Sequence, residues 1–361
     1  MSLRDLRRHA GRLAIVGFSG TSVPEDLRRL AAEFDVGGVI YFARNIDEPR
    51  QVLELSREAA GLARDWPLWI GVDQEGGRVA RLKRPFTEWP PMATLGRSSD
   101  AGLAGRFASA LAQELSAVGI TLDFAPVLDI QTNPKNTAIG DRALATEAAA
   151  VARLGQTIVR GLQTQGITAC GKHFPGHGDT VADSHDELPV ADHARRDLDA
   201  REFVPFRAAI AEQVAMIMTA HVLVPAIDAR NPATLSRTIV TEILKHDLQF
   251  DGVVASDDLG MKGVSATRTL PELMVESIHA GCDVALLCNS TAHEQASAIE
   301  AVIRAAESGH LAPSRIDDAL KRQHRAKAAF ESFARKSIRP PLDVVGCDAH
   351  QAIAREMAAW M

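Results

Sequence analysis

Four apolar runs in this 361-residue chain end in ionisable side chains. Leu68–Val72 leads into Asp73-Gln74-Glu75-Gly76-Gly77-Arg78, with Arg81 just beyond. Ile167–Gly171 leads into Lys172-His173 and then Phe174-Pro175-Gly176-His177-Gly178-Asp179-Thr180. A third run ends in Thr219-Ala220-His221, and a fourth in Ser256-Asp257-Asp258-Leu259-Gly260-Met261. A charged or polar group that follows a buried segment must find partners or meet substrate, because burying it unpaired is costly. One such end would mean little; four together argue for a single site.

The stretch from Lys172 to His185 admits three chemistries. It could be a bent polar loop whose histidines only pack. It could hold a metal, since His173, His177, Asp179, Asp183 and His185 are all possible ligands,. The i, i+4 spacing of His173 and His177 would suit a helix, but Pro175, Gly176 and Gly178 argue against a regular one,. The third chemistry is acid/base catalysis. Asp183 and His185 are two residues apart, so the carboxylate can orient the imidazole and hold its proton. Asp257 is similarly open. It could cap the following helix, with Asp258 as a competing candidate, or serve as a carboxylate nucleophile.

These residues need a scaffold that brings strand ends together. Eight short apolar runs recur: Leu13–Gly17, Gly38–Phe42, Leu68–Asp73, Leu122–Val127, Ile167–His173, Ala215–His221, Gly252–Asp257 and Val284–Cys288. Stretches of helical period lie between them, opened by Pro24-Glu25-Asp26, by Glu48-Pro49 and by Thr269-Leu270-Pro271-Glu272,. Strand and helix in alternation predict parallel pairing, and eight strands predict an α/β fold of the (β/α)8 TIM-type barrel. Gly17-Phe18-Ser19-Gly20 is not the phosphate turn of an open doubly wound sheet,. The fourth strand is the weakest, because the loop Arg84–Gly96 before it is long and holds Pro85, Pro90 and Pro91. A single catalytic barrel is expected over residues 1–337. A short helical C-terminal tail is expected over 338–361, with Ala349–Trp360 amphipathic.

Composition narrows the partners. Hydrophobic residues make up 46% and charged residues 24%, with a net charge of −6, so a folded core is expected and no basic field favours nucleic acid,. The basic residues at Arg4, Arg7, Arg8 and Arg12, and again over Lys321–Lys327, read as solvated helix faces,. Four cysteines make neither a disulfide framework nor paired zinc ligands, which fits a reducing compartment,. Leu13–Val16 is too short for a signal sequence and reads as the first strand. No apolar run spans a bilayer, so a cytoplasmic monomer with no membrane partner is expected.

The motifs Lys172–Thr180, Asp183-Ser184-His185 and Ser256–Met261 together resemble glycoside hydrolase family 3 over about Leu13–Arg335. Within it they are similar to the single-domain bacterial β-N-acetylglucosaminidases (β-hexosaminidases) of peptidoglycan recycling. The Asp-Ser-His element separates that branch from the two-domain β-glucosidases. The resemblance implies Asp257 as nucleophile and His185, paired with Asp183, as general acid/base. It also implies sugar binding by Asp73, Arg81, Arg142, Lys172 and His173. The implied reaction is retaining removal of terminal β-linked N-acetylglucosamine from muropeptide-type or chito-oligosaccharide substrates, without cofactor or metal. An imidazole suits the acid/base role, since its reference pKa of about 6.5 already lies near neutrality. A broader family 3 β-glycosidase, a glycoside phosphorylase, a metal-dependent hydrolase and a non-catalytic sugar-binding barrel are the alternatives. The segment His350–Glu356 resembles the lead into the second domain of longer relatives, though no such domain is expected here. The loop Phe174–Asp186, polar and bent by proline and glycine, is expected to pack lightly and to move with substrate.

Overall fold

The computed structural model describes residues 3–180, 188–336 and 339–361. Eight parallel strands close into a barrel: β1 (Ala14–Val16), β2 (Gly38–Tyr41), β3 (Trp69–Val72), β4 (Leu122–Asp123), β5 (Thr168–Phe174), β6 (Met216–Thr219), β7 (Val253–Asp258) and β8 (Val284–Leu287). Each strand pairs with its sequence neighbours, and β1 closes the ring on β8 with Ile15 opposite Leu286. All eight predicted strands are present at their predicted places. β4 is the shortest: Pro126 has no N–H to give to a ladder, and pairing beyond Asp123 is reduced to a bridge between Val127 and Lys172,.

The helices begin where the sequence marks them. Glu25–Phe34 follows Pro24, and Pro49–Ala60 starts on its proline. Leu270–Ala280 is opened by a capping box, in which the Thr269 N–H donates to Glu272 at 2.8 Å,. Between β3 and β4 the chain adds a small antiparallel hairpin, Gln74–Gly76 against Val79–Ala80, which the sequence did not reveal.

Strand periodicity sorts the core into two shells. Ile15, Ile40, Trp69, Leu122, Cys170, Met216, Val253, Ala255, Val284 and Leu286 pack together inside the barrel. Their chain neighbours, such as Val16, Ile70, Val254 and Ala285, pack outward against the helices,. Extending the inner positions upward by two residues from Cys170 reaches Lys172 on β5, and by four from Trp69, past Gly71, reaches Asp73 after β3; on β7 the register shifts just beyond Ala255, before Asp257 and Asp258.

The lower end corrects one expectation. Arg12 and Lys327 are buried rather than solvated. Arg12 stacks over Trp66 and bonds Asp35, while Lys327 donates to the Gly37 carbonyl at 2.7 Å and lies 5.1 Å from the Trp69 ring centre. Burial pushes the Lys327 ammonium down to about 7,. Long basic side chains can carry apolar stems into a core, which charge counting along a helix cannot reveal.

The tail helix Asp348–Ala358 docks on the helix Ala101–Ala117. Buried Glu114 fastens it, accepting bonds from Thr87 N–H (3.0 Å), Thr87 Oγ1 (2.6 Å), Gly346 N–H (3.0 Å) and the His350 ring (2.9 Å). Replacing Glu114 by Ala leaves those donors without an acceptor. E114A is expected to lower stability by about 2–4 kcal/mol, read as a lower urea midpoint. An unchanged midpoint would show that the tail is not fastened there.

Candidate active site

The mouth is built around one buried cation. Lys172 Nζ, on β5, lies 2.9 Å from Asp73 Oδ1 and 2.6 Å from Glu75 Oε1. Arg142, on the short turn Gly140–Arg142, grips both oxygens of Glu75 at 2.8 Å each,. Arg81 reaches the second oxygen of Asp73 at 3.3 Å. The hairpin sets that approach: the Gln74 side-chain oxygen accepts from the N–H groups of Arg81 (2.8 Å) and Leu82 (2.9 Å) and so turns the chain back over Asp73. Burial alone would raise the Glu75 carboxyl, but Arg142 and Lys172 outweigh it and hold the group far below its usual range. Asp73 is lowered in the same way, burial being overcome by Lys172 and Arg81. Lys172 is raised, because its two carboxylates outweigh its desolvation,.

His173 is oriented by Asp129, which follows β4. The ring Nδ1 lies 2.6 Å from Asp129, and the same carboxylate accepts the backbone N–H of His177 at 2.7 Å. Burial would raise Asp129, yet the two histidines keep it low, so the carboxylate accepts the proton that Nδ1 carries,. His177 is itself buried, its Nδ1 2.7 Å from Thr180, and burial lowers its pKa.

The end of β7 separates two adjacent acids. Asp258 points outward, accepting from the N–H groups of Cys288 (3.0 Å) and Gly260 (3.1 Å) and from Asn289 (3.2 Å). Asp257 is half-buried and, among the described residues, accepts the Asp258 N–H at 2.7 Å. Its charge is felt by Cys170, Cys288, His177 and His221. His221, the strand-six candidate, is buried beneath. Its Nε2 donates to the Asp258 carbonyl at 2.9 Å, and burial lowers its pKa, so it supports β7 as a neutral ring.

Of the sequence-predicted residues, Asp73, Arg81, Arg142 and Lys172 form one bonded cluster, with His173 next along β5 and Asp257 near the end of β7, where its charge is felt by Cys170 and His177. Asp183 and His185 lie outside the described residues. Phe174–Thr180 corrects the expectation of a lightly packed loop, since all of it except Asp179 is buried. Phe174 stacks with Phe203, and a Cβ on Gly178 would sit 1.9 Å from the Ile130 carbonyl oxygen. The two glycines that suggested looseness instead permit close approach. Gly176, at φ +127°, lies against Glu202, and Gly178 lies against the segment after β4,. The sequence reading gave no role to Glu75 or Asp129. Asp129 follows Val127-Leu128 and carries the same signal as the other strand ends, hidden because β4 itself was weak.

Residues 5–326 match the glycosyl hydrolase family 3 N terminal domain, and the chain belongs to that family of glycoside hydrolases. Among its relatives, a β-hexosaminidase of Thiobacillus denitrificans is 40% identical over 329 residues, 89% of each chain. The structure of a glycoside hydrolase family 3 β-N-acetylglucosaminidase from Paenibacillus sp. matches with a TM-score of 0.93 at 40% identity, covering 98% of this chain and 68% of that one. Zinc-bound CbsA from Thermotoga neapolitana matches at 0.82 with 29% identity, over 91% of this chain and 69% of that one.

The electrostatics predict an acid-sensitive mouth. A carboxyl held below its unfolded value of about 4.3 stabilises the fold above that pH and loses its contribution as pH falls toward the folded value. E75Q is therefore expected to lower the melting temperature at pH 7 and to flatten its decline below about pH 4. Parallel declines in the two proteins would show that Glu75 is not linked to acid unfolding.

Proposed function

We propose that the chain is a retaining exo-β-N-acetylglucosaminidase acting on terminal β-linked N-acetylglucosamine of muropeptide-type or chito-oligosaccharide substrates. Asp257 attacks the anomeric carbon while the His185 imidazolium gives its proton to the leaving oxygen. In the second step His185 takes a proton from water, whose oxygen displaces Asp257 from the same carbon. Asp183 orients the ring and favours its charged form. Asp73, Arg81, Arg142, Lys172 and His173 hold the sugar. Asp73 retains lone pairs for hydroxyl groups, and the His173 ring is held in place by Asp129. A role in peptidoglycan recycling in the cytoplasm fits this chemistry; among the described residues no helix is long and apolar enough to cross a membrane.

The observation that carries the reading is the setting of the two acids at the end of β7. The ladder between β7 and β8 shifts register between Ala255 and Asp258, and the surroundings of the two acids separate them: the Asp257 charge is felt by Cys170 inside the barrel and by His177, while the Asp258 carboxylate is bonded to Cys288 and Asn289 after β8. The hexosaminidase relatives support the choice of sugar. The zinc-bound relative raises a metal-assisted reading. Among the described residues, however, the group whose ligand atoms converge is His9, Asp35 and Asp65, and Arg12 already bonds both of its carboxylates. No step is routed through a metal.

A 5-fluoro N-acetylglucosaminyl donor is expected to label the peptide bearing Asp257. D257N should lose activity by ~10³-fold or more, and D258N by about tenfold at most. A label on Asp258 would overturn the assignment. The p-nitrophenyl β-N-acetylglucosaminide should be cleaved faster than the β-glucoside, with equal rates before and after exhaustive chelation. Loss of activity that zinc restores would favour the metal-assisted reading. Release of sugar 1-phosphate in phosphate buffer would identify a phosphorylase.

A further inference from the structure

Asp179 stands at one end of the segment 181–187, and three separate parts of the chain converge on its carboxylate. Thr132 Oγ1, from the loop after β4, donates to Oδ1 at 2.5 Å. His193 Nε2, from beyond the segment, bonds Oδ2. Arg201, on the following helical turn, approaches Oδ2 at 3.5 Å while its Nε donates to Glu202 at 2.6 Å. Asn133 adds bonds to the backbone carbonyls of Asp179 (3.2 Å) and Thr180 (3.4 Å). On the far side, Pro189–Ala191 is laced to Leu223 after β6: the Leu223 N–H donates to the Pro189 carbonyl at 2.8 Å and the Ala191 N–H to the Leu223 carbonyl at 2.9 Å. Both flanks of residues 181–187 are therefore tied to the barrel, and the Asp179–His193 pair joins one flank directly to the other.

These bonds are more than surface ion pairs, which contribute little because solvent screens them. The four polar partners come from the connections after β4 and after β5, and each would have to be rearranged if the others moved. Burial would raise the Asp179 carboxyl, but Thr132, His193 and Arg201 keep it low and ionised. None of the four groups belongs to the cluster around Lys172, so the arrangement has no evident part in holding sugar.

We propose that Asp179, with His193 and Arg201 as its partners, is a positioning residue for the general acid/base. By fixing the two flanks of the segment that carries Asp183 and His185, it sets where the imidazole can deliver its proton. The inference rests on the reading of His185 as acid/base given above. It assigns Asp179 no contact with substrate.

Leaving-group dependence distinguishes this role from general structural damage. An unactivated phenyl glycoside needs a proton on its departing oxygen, whereas a 2,4-dinitrophenyl glycoside departs without one. General acid catalysis contributes ~10²–10⁴-fold where it is needed. D179N and, separately, H193Q are expected to lower kcat/KM on phenyl β-N-acetylglucosaminide by ~10-fold to 10²-fold, and by less than about 3-fold on the dinitrophenyl compound. H185A measured alongside should show the same pattern more strongly. Equal losses on both substrates, or full activity of both variants on the phenyl compound, would overturn the proposal. If H185A shows the leaving-group effect and D179N and H193Q do not, the anchor fails alone. If H185A lacks the effect, the acid/base reading fails and the anchor's role with it.

Discussion

The Lys172 ammonium is 2% exposed, and the arrangement of the mouth follows from the need to satisfy it. An ammonium withdrawn from water carries a penalty of several kcal/mol, recovered only when opposite charges meet it in good geometry. Asp73 and Glu75 do so from a single strand end, and they can because the hairpin turns the chain through Gln74 between them. Glu75 is then too negative to stand alone beside one cation, and Arg142 answers it with two parallel bonds. Asp73 is likewise shared with Arg81. Three cations and two carboxylates thereby join β3, β5, the hairpin and the turn at Gly140–Arg142. The groups that would meet sugar hydroxyls are already oriented before any ligand arrives, so little ordering remains to be done on binding.

Backbone geometry does the equivalent work on the opposite wall. The ladder between β7 and β8 shifts register between Ala255 and Asp258, and the two adjacent aspartates fall into different surroundings. Asp258 is drawn into bonds with the end of β8, and burial raises its carboxyl. Those bonds, with His221 beneath the Asp258 carbonyl, fix the last turn of the strand. Asp257 inherits a fixed position from its neighbour's bonding and from the Asp258 N–H that its own carboxylate accepts.

The barrel was legible in the sequence because parallel strands buried on both sides leave continuous apolar runs, and eight of them were found. The ends of β3, β5 and β7 were legible because a charge after such a run is conspicuous. Other features left no such mark. The hairpin depends on one glutamine amide folding back on two later N–H groups, a contact that no period encodes. Asp129 was hidden because Pro126 breaks β4 before its acid is reached. Arg12 and Lys327 looked solvated because helical charge patterns do not record which stem crosses an apolar floor. Gly176 and Gly178 misled in the opposite sense. A glycine signals both freedom and tight approach, and only the neighbouring Ile130 carbonyl and Glu202 decide which.

The two kinds of support divide the chemistry. Groups borne at strand ends, Asp73, Lys172 and Asp257, take their positions from the ladder of backbone bonds that closes the barrel, with a local register shift at Lys172 and another at Asp257. A group borne on a loop has no ladder, and its position must come from side-chain bonds and from how closely the loop can lie on its neighbours. Phe174–Thr180 obtains both: Gly178 against Ile130 gives the approach, and Asp129 gives the bonds. Asp129 is therefore the joint between the two systems. One of its oxygens receives the N–H of His177 in the loop, while the other holds the ring of His173 on the strand. A displacement of the loop at His177 must either break that bond or pull on the His173 imidazole. In this architecture the end of β5 and the start of the loop beyond it cannot be moved independently.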